Sequence, residues 1–229
     1  MATFCLLHGA WHEPSCWDAL AERLAELGHA VTAPELPLHD PSAGYERRVR
    51  PAIEALRRAD GPVVVVSHSQ SSALGPLVAA ARPVSLLVYL CPRMGSFEPP
   101  PEAPSAFRES LSFPPARPDG TTAWDPDAAI EVLYPRLPPE TARRLAERLR
   151  PMAMPPDDYP LREHPDVPAA LVYAAEDEFF EPSYERFMAR EVLGTEPIEL
   201  PGGHFPMAED PDGLAALLDR LGSQAASRT

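Results

Sequence analysis

The chain of 229 residues is 45% hydrophobic, enough for one domain with a sizeable core, and its 34 acidic and 20 basic side chains give a net charge of −14. This acidic balance disfavours nucleic acids and anionic membrane surfaces as partners, because both require basic patches. No apolar run reaches the roughly 20 residues of a membrane-spanning helix, and we expect no signal peptide, because the first predicted strand begins at Thr3. We therefore expect a cytoplasmic protein, a monomer or homodimer, whose partner is a small-molecule substrate.

The N-terminal part of the chain alternates between strand and helix patterns. Short apolar runs bounded by turn residues predict strands, and amphipathic runs that end at Gly28 or at Asp60-Gly61-Pro62 predict helices. Such alternation favours a mostly parallel sheet with helices on both faces. In chain order we expect strand Thr3–Leu7, helix 16–27, strand 30–33, helix 45–59, strand 63–66, helix 72–81 and strand 85–90.

The pattern breaks between residues 93 and 165, where proline is dense and no strong strand is visible. We expect a hairpin turn at Asp119-Gly120 and helices at 127–133 and 140–150. The alternative is a disordered linker, but these amphipathic helices favour an ordered cap. The α/β pattern then resumes with strand Ala169–Ala174, strand 197–200 and an amphipathic segment at 214–221. The predicted organisation is a core from 1–92 and 166–229, with a cap at 93–165.

Ser69 follows the four buried valines of Val63–Val66 and directly precedes a helical pattern. A serine on so short a strand-to-helix turn fits a nucleophile elbow, whose usual form is G-x-S-x-G. Both glycine positions are serines here, Ser67 and Ser71, so we expect a crowded turn that Ser71→Gly would relax. The alternative is that the Ser71 hydroxyl is hydrogen-bonded within the site, in which case the same change would lower the rate. Pro76 is expected to kink the following helix. The alternative role for Ser69 is a helix N-cap.

A nucleophilic serine needs a base and an acid that orients the base. His204 follows Gly202-Gly203, which predicts a mobile, sterically open loop. Asp177 lies just after strand Ala169–Ala174, between two glutamates. Separately, His204 fits a plain loop residue and the acidic cluster fits a solvated face. Together, the order Ser69, Asp177, His204, with each residue at a strand end, favours a catalytic triad.

The first strand ends in His8-Gly9-Ala10-Trp11. Such a turn can supply an oxyanion hole, for which the candidate donors are the backbone N–H groups of Ala10 and Gln70. We interpret His8 as a buried brace rather than a catalytic group. His8 and His12 lie on a loop without a third ligand, the three cysteines lack metal spacing, and no Gly-rich phosphate loop is present. We expect neither a metal nor a cofactor.

His8-Gly9-Ala10-Trp11, followed by Ser15-Cys16-Trp17-Asp18-Ala19-Leu20, resembles the plant methylesterase and hydroxynitrile lyase branch of the α/β-hydrolase superfamily and its bacterial relatives. The resemblance spans nearly the whole chain, and residues 125–156 resemble the cap of that branch. It implies the α/β-hydrolase fold with an inserted cap. It also implies Ser69 as nucleophile, Asp177 as acid, His204 as base, and Ala10 and Gln70 as oxyanion donors.

The branch contains lyases and esterases, so the reaction needs its own argument. The plant lyases carry a lysine directly after the catalytic histidine, where this chain has Phe205 and no lysine anywhere. A serine at 69 also disfavours epoxide hydrolase and dehalogenase chemistry, which in this fold uses an aspartate nucleophile. Acyl chemistry remains: hydrolysis of an ester, lactone or thioester. The alternatives are an acyltransferase or cyclase with the same site, or a non-catalytic ligand-binding relative.

A largely apolar pocket is expected above the elbow. The candidate lining residues are Trp11, Phe97, Trp124 and Phe205. The aromatic and methionine residues of the cap, among them Phe107, Phe113, Met152 and Met154, fit either the pocket wall or a small core of the cap itself. The sequence therefore predicts a cytoplasmic serine hydrolase for a small, apolar substrate.

Overall fold

A computed structural model describes residues 1–94 and 102–227 of the chain. In this part, six strands form one sheet in the order β2-β1-β3-β4-β5-β6, and every neighbouring pair is parallel. The predicted parallel α/β fold is therefore confirmed. The strands are β1 (Thr3–Leu7), β2 (Ala30–Thr32), β3 (Val63–His68), β4 (Leu86–Leu90), β5 (Ala169–Ala174) and β6 (Ile198–Leu200).

Helices connect the strands, as a parallel sheet requires. Helix α1 packs against α8, and α2 packs against α3, so two pairs of helices flank the sheet. No helix in the described residues has the length and apolar character needed to cross a bilayer. The helices are α1 (Asp18–Glu26), α2 (Tyr45–Ala55), α3 (Gly75–Ala81), α4 (Pro126–Leu133), α5 (Pro139–Ala146), α6 (Pro182–Phe187), α7 (Pro206–Glu209) and α8 (Pro211–Ala226).

Strand β3 lies at the centre of the core. All six of its residues are buried, and it pairs with β1 on one side and β4 on the other. A strand that is buried on both faces and on both edges cannot shift without disturbing the whole sheet. The end of β3 is therefore a rigid base for whatever follows it, and Ser69 follows it directly.

Pro76 does not kink a helix, contrary to the sequence-based expectation. A 3₁₀ turn spans Ser69–Ala73, and α3 begins only at Gly75, so Pro76 lies in the first turn of α3. A missing N–H costs nothing there, because the first amides of a helix have no intrahelical acceptor. The proline that does lie inside a helix is Pro51, in α2.

The inserted segment between β4 and β5 contains α4 and α5, close to the predicted helices. Helix α5 ends at Ala146 and not at the predicted residue 150, and the Arg150 N–H donates to the carbonyl of Trp11. The turn at Asp119-Gly120 forms, with Gly120 at φ 81°. It does not close a hairpin, since Thr122 pairs in an isolated bridge with Met152. The boundaries of the predicted cap stay a prediction.

Candidate active site

Ser69 lies in a strained backbone conformation at the end of β3. Its φ is 52°, in the left-handed region that residues other than glycine rarely adopt. The first residues of the 3₁₀ turn receive no side-chain cap. The hydroxyl instead lies 3.0 Å from Nε2 of His204. The structure thus gives Ser69 the geometry of an elbow rather than that of an N-cap.

The structure brings Ser69, His204 and Asp177 into one hydrogen-bonded chain. His204 Nδ1 lies 2.7 Å from Asp177 Oδ2, so the imidazole donates there, and Nε2 is free to accept from the Ser69 hydroxyl. Asp177 is fully buried, and His204 is 2% exposed. A serine, an imidazole and a carboxylate in this order are the arrangement that nucleophilic catalysis requires.

The Asp177 carboxylate is fixed by backbone donors as well as by His204. Its Oδ1 accepts from the N–H groups of Phe179 at 2.7 Å and Phe180 at 2.9 Å. Because Oδ2 faces His204, both oxygens are occupied and the carboxylate cannot rotate freely. This turn selects Asp177 among the three consecutive acids of the segment.

The flanking glutamates have other partners. Glu176 and Glu178 both pair with Arg136 of the inserted segment. Glu178 also accepts from the backbone N–H of His204 at 3.0 Å. The acidic cluster therefore divides into one buried carboxylate facing the imidazole and two that connect this loop to Arg136.

The loop that carries His204 is not sterically open, contrary to expectation. A Cβ at Gly203 would lie 2.5 Å from Glu178 Oε2. The Gly203 N–H donates to Glu209, and Gly202 has φ 94°. The two glycines are needed because the loop passes tightly against carboxylates, and the result is a braced His204.

Two further buried ionisable groups, Glu185 and Cys91, interact electrostatically with Asp177. Burial raises the pKa of the Glu185 carboxyl well above its ordinary range, and the charge of Asp177 raises it further. Neither Glu185 carboxyl oxygen has a hydrogen-bond partner among the described residues. Burial likewise raises the pKa of the Cys91 thiol. Burial thus disfavours charge on both groups, which interact with the Asp177 carboxyl that His204 contacts.

Cys91, Asp177 and His204 each place one potential ligand atom within 4.8 Å of the others. This cluster is a poor metal site by its donor chemistry. Both Asp177 oxygens and both His204 nitrogens are engaged in the hydrogen bonds described above, and a protonated thiol is a weak ligand. We assign these atoms to the hydrogen-bonded relay.

Ala10, one of the two predicted oxyanion donors, lies in a tight turn, Gly9–His12, just after β1. The His12 N–H donates to the carbonyl of Gly9 at 3.4 Å, and Trp11 has φ 61°. Trp11 is the third residue of this turn, and a positive φ at the third residue is typical of a type II turn. Tryptophan rarely adopts such a backbone conformation. The His12 side chain holds the turn, since its Nδ1 donates to the Ala10 carbonyl at 2.7 Å. Ala10 lies beside Ser69 and Gln70 on the same cavity.

The inserted segment holds this turn from outside. The Tyr134 hydroxyl lies 2.6 Å from His12 Nε2 and donates to it, because Nδ1 carries the ring proton. Trp11 Nε1 donates to Thr122 Oγ1 at 3.0 Å. The Arg150 N–H donates to the Trp11 carbonyl at 2.8 Å. Three contacts from the inserted segment thus fix a turn that contains an unfavourable backbone angle.

His8 is a buried brace, as its sequence context suggested. Its Nε2 accepts from the Leu36 N–H at 3.0 Å, and its Nδ1 donates to the Gly9 carbonyl. Burial lowers the pKa of His8 to about 4. The ring is therefore neutral at pH 7 and connects the turn to the loop after β2.

Ser71 is hydrogen-bonded and does not merely replace glycine. It is fully buried. Its hydroxyl reaches the carbonyls of Leu7 at 2.8 Å and His68 at 2.9 Å, and it shares one proton between them. Leu7 ends β1 and His68 ends β3. The side chain thus joins the end of β1 to the end of β3. We therefore expect Ser71→Gly to lower activity, not to relax the turn.

The close approach that the elbow requires is made by other glycines. A Cβ at Gly9 would lie 2.8 Å from His68 Nδ1 and 3.2 Å from Ser69 Cβ. A Cβ at Gly75 would lie 3.1 Å from Ser67 Oγ. The serine at 67 is therefore accommodated by a glycine at the start of the facing helix.

A cavity of about 230 Å³ opens above Ser69. Of the four candidates Trp11, Phe97, Trp124 and Phe205, Trp11 belongs to its described lining. The residues Phe107, Phe113, Met152 and Met154, for which the sequence left pocket wall and cap core open, also line it. Trp124 packs behind Trp11 at 5.7 Å between ring centroids, Phe205 is buried against His12 and His68, and Phe97 lies outside the described residues. Sequence reasoning missed Arg93 and the two phenylalanines that follow the triad acid. The main apolar lining is Phe107, Phe113, Met152, Met154, Phe179 and Phe180.

Comparison with known proteins identifies the family. Residues 6–217 match the alpha/beta hydrolase family, and the chain belongs to it. A pyrethroid hydrolase of Sphingobium wenxiniae is 27% identical over 245 aligned positions, which cover 92% of this chain and 84% of that protein.

Solved structures show the same fold at low sequence identity. A pyrethroid hydrolase from Sphingobium faniae superposes with a TM-score of 0.76 and 22% identity, over 97% of each chain. A methylesterase from Arabidopsis superposes with a TM-score of 0.74 and 19% identity, over 97% of this chain and 99% of that one. The sequence-based resemblance to the α/β-hydrolase superfamily, with plant and bacterial relatives, is confirmed.

The buried histidines predict how stability depends on pH. Burial lowers the pKa of His8 and His12 to about 4 and that of His68 well below its ordinary value. Between about pH 6.5 and 4 the unfolded chain binds these protons and the folded chain does not, so the free energy of unfolding falls as the pH falls. His12→Gln removes one such proton and should flatten the slope by up to about 1.4 kcal/mol per pH unit.

Urea titrations from pH 7 to 4.5 measure these slopes. His39 is exposed, so His39→Gln is the matched control and should keep the wild-type slope. Equal slopes for wild type and His12→Gln would show that His12 titrates alike in the folded and unfolded chains.

Proposed function

We propose that this member of the alpha/beta hydrolase family is a serine esterase that cleaves a carboxylic ester of a small, largely apolar substrate through an acyl-enzyme intermediate. The observation that carries the proposal is the chain of hydrogen bonds from Asp177 through His204 to the Ser69 hydroxyl. This chain ends at a cavity whose described walls are mostly aromatic and thioether side chains.

In the proposed first step, Ser69 Oγ attacks the acyl carbon while His204 Nε2 takes the hydroxyl proton. Asp177 holds the ring in the tautomer whose Nε2 can accept, and its charge stabilises the imidazolium that forms. As the tetrahedral intermediate collapses, His204 passes the proton to the leaving alcohol. The acyl group then remains on Ser69.

The oxyanion is stabilised by the backbone N–H groups of Ala10 and Gln70. Gln70 is the second residue of the 3₁₀ turn, so its N–H has no acceptor within that turn. Loss of one such donor costs about 3 kcal/mol of transition-state stabilisation in other enzymes. The fixed turn at Gly9–His12 supplies the second donor without reorganisation.

Water completes the proposed cycle. His204 removes a proton from a water molecule, the hydroxide attacks the acyl carbon, and the proton returns to Ser69 Oγ as the acid departs. The relatives support ester cleavage, because the matching proteins are a pyrethroid hydrolase and a methylesterase. Hydrolysis of a lactone or thioester would use the same steps.

The two alternatives stand differently. A non-catalytic binder was suggested by Ser67, Ser71 and Pro76, but Pro76 lies in the first turn of α3, Gly75 accommodates Ser67, and Ser71 is hydrogen-bonded to two carbonyls. None of these three features now argues against catalysis. An acyltransferase or cyclase would keep the acyl-enzyme and replace water by another nucleophile. Product analysis with and without an added alcohol separates transfer from hydrolysis.

Ser69→Ala tests the proposal. Hydrolysis of 4-nitrophenyl butyrate should fall by about 10³-fold or more, as is usual for triad members, and the melting temperature should stay nearly unchanged. Ser72→Ala is the matched control, because Ser72 is a buried neighbour whose hydroxyl has no partner among the described residues. It should keep wild-type activity. Activity retained in Ser69→Ala would refute the proposed nucleophile.

The second test concerns the choice of acid. Asp177→Asn should lower kcat by at least about 100-fold, because the amide disturbs the His204 tautomer. Glu176→Gln and Glu178→Gln should have small effects, since their contacts are with Arg136 and a backbone amide. Steady-state kinetics of the three variants decides the matter. Equal losses in all three would indicate a general electrostatic role.

The third test concerns Ser71. Both Ser71→Ala and Ser71→Gly remove the hydroxyl that joins Leu7 to His68. We expect kcat/KM to fall about 3- to 10-fold, which matches the loss of an ordinary hydrogen bond. Ser72→Ala is again the control. Higher activity in Ser71→Gly would mean that steric crowding, and not the hydrogen bond, governs this position.

A further inference from the structure

Arg93 lies directly beside the proposed oxyanion hole. Its backbone N–H donates to the Ser69 carbonyl at 3.1 Å, which fixes the residue next to the elbow. Its Nη1 donates to Gln70 Oε1 at 2.8 Å, and its guanidinium carbon lies 5.9 Å from the centroid of Phe107. The cation is thus held at the residue whose backbone N–H is proposed to bind the substrate's carbonyl oxygen.

The charge of Arg93 stands out from the rest of the cavity. Within the part of the chain that the structure describes, it is the single charged side chain among the lining residues. A guanidinium has five N–H donors in one plane, and its strongest partner is a carboxylate that accepts two of them. The described contacts, with Gln70 and the Met154 sulfur, engage one nitrogen, Nη1.

We propose that Arg93 binds a carboxylate on the acyl portion of the substrate, so that the enzyme selects esters whose acyl group carries a second, free acid. This inference rests on the proposed esterase function and names its substrate class. We assign the carboxylate to the acyl portion because, in the proposed cycle, the leaving oxygen lies next to His204 Nε2, whereas Arg93 contacts Gln70 and not His204. Half-esters of short dicarboxylic acids fit this description.

Recognition of such a substrate has to be local. The whole chain carries a net charge of −14, which repels an anion at long range. A contact with Arg93 inside apolar walls is screened little by salt. The apolar residues then contact the methylene chain between the ester and the free acid.

A matched pair of substrates tests this assignment: 4-nitrophenyl hydrogen adipate and 4-nitrophenyl methyl adipate, which differ in one negative charge. In Arg93→Met, the ratio of their kcat/KM values, corrected for uncatalysed hydrolysis, should fall about tenfold or more against wild type. Arg93→Lys should retain part of the preference. Arg50→Met is the control, because Arg50 is an exposed residue of α2, and its loss lowers the net charge equally.

A purely structural role for Arg93 in holding Gln70 predicts a different result. Both substrates would then lose the same factor in Arg93→Met, the ratio would stay constant, and the proposal would be overturned. The same holds if Arg50→Met changes the ratio as much as Arg93→Met does.

Binding to an inactive variant separates this proposal from the esterase proposal. Calorimetry with Ser69→Ala should detect monomethyl adipate, and the added Arg93→Met change should weaken its binding about tenfold or more. Binding that depends on Arg93, in a protein that hydrolyses neither ester, would keep the carboxylate site and refute the esterase. Hydrolysis of both esters with an unchanged ratio would keep the esterase and refute the carboxylate site.

Discussion

The left-handed backbone at Ser69 is the constraint on which the rest of the site depends. A conformation of this kind costs about 1–2 kcal/mol for a residue with a side chain, and it persists because both of its sides are fixed. Strand β3 is fully buried before it, and the 3₁₀ turn follows it directly. The strain points the hydroxyl at His204 and leaves the Gln70 N–H without an acceptor within the turn.

A second strained turn must meet the first. Trp11 is also left-handed, and its turn approaches the elbow so closely that Gly9 has no room for a Cβ. The Ser71 hydroxyl joins the ends of β1 and β3, while Thr122, Tyr134 and Arg150 hold the Gly9–His12 turn by hydrogen bonds. The inserted segment therefore has a second role besides lining the cavity. It fixes the backbone of the Gly9–His12 turn, which is proposed to stabilise the oxyanion.

Much of this architecture could be predicted from the sequence, because the candidate catalytic residues lie just after predicted strands. Strands β1 and β5 have the predicted bounds, and each of Ser69, Asp177 and His204 follows a strand, so chain order alone placed them together. Other features depend on packing contacts, which the sequence pattern does not show. Pro76 was predicted to kink a helix because the 3₁₀ turn before α3 has no sequence signal. Helix α6 was not predicted, because its six residues are too few to show a helical period. Trp124 and Phe205 are as apolar as the true lining residues, and Ser71 shows its role only through the carbonyls it reaches.

Covalent labelling with a fluorophosphonate, followed by peptide mass mapping, tests whether Ser69 is an activated nucleophile. Phosphonylation requires an activated nucleophile next to an oxyanion hole, whatever the natural substrate is. We expect one adduct per chain, on the peptide that contains Ser69, with a much slower rate in Asp177→Asn. An adduct on another residue, or no adduct on correctly folded protein, would refute Ser69 as the nucleophile.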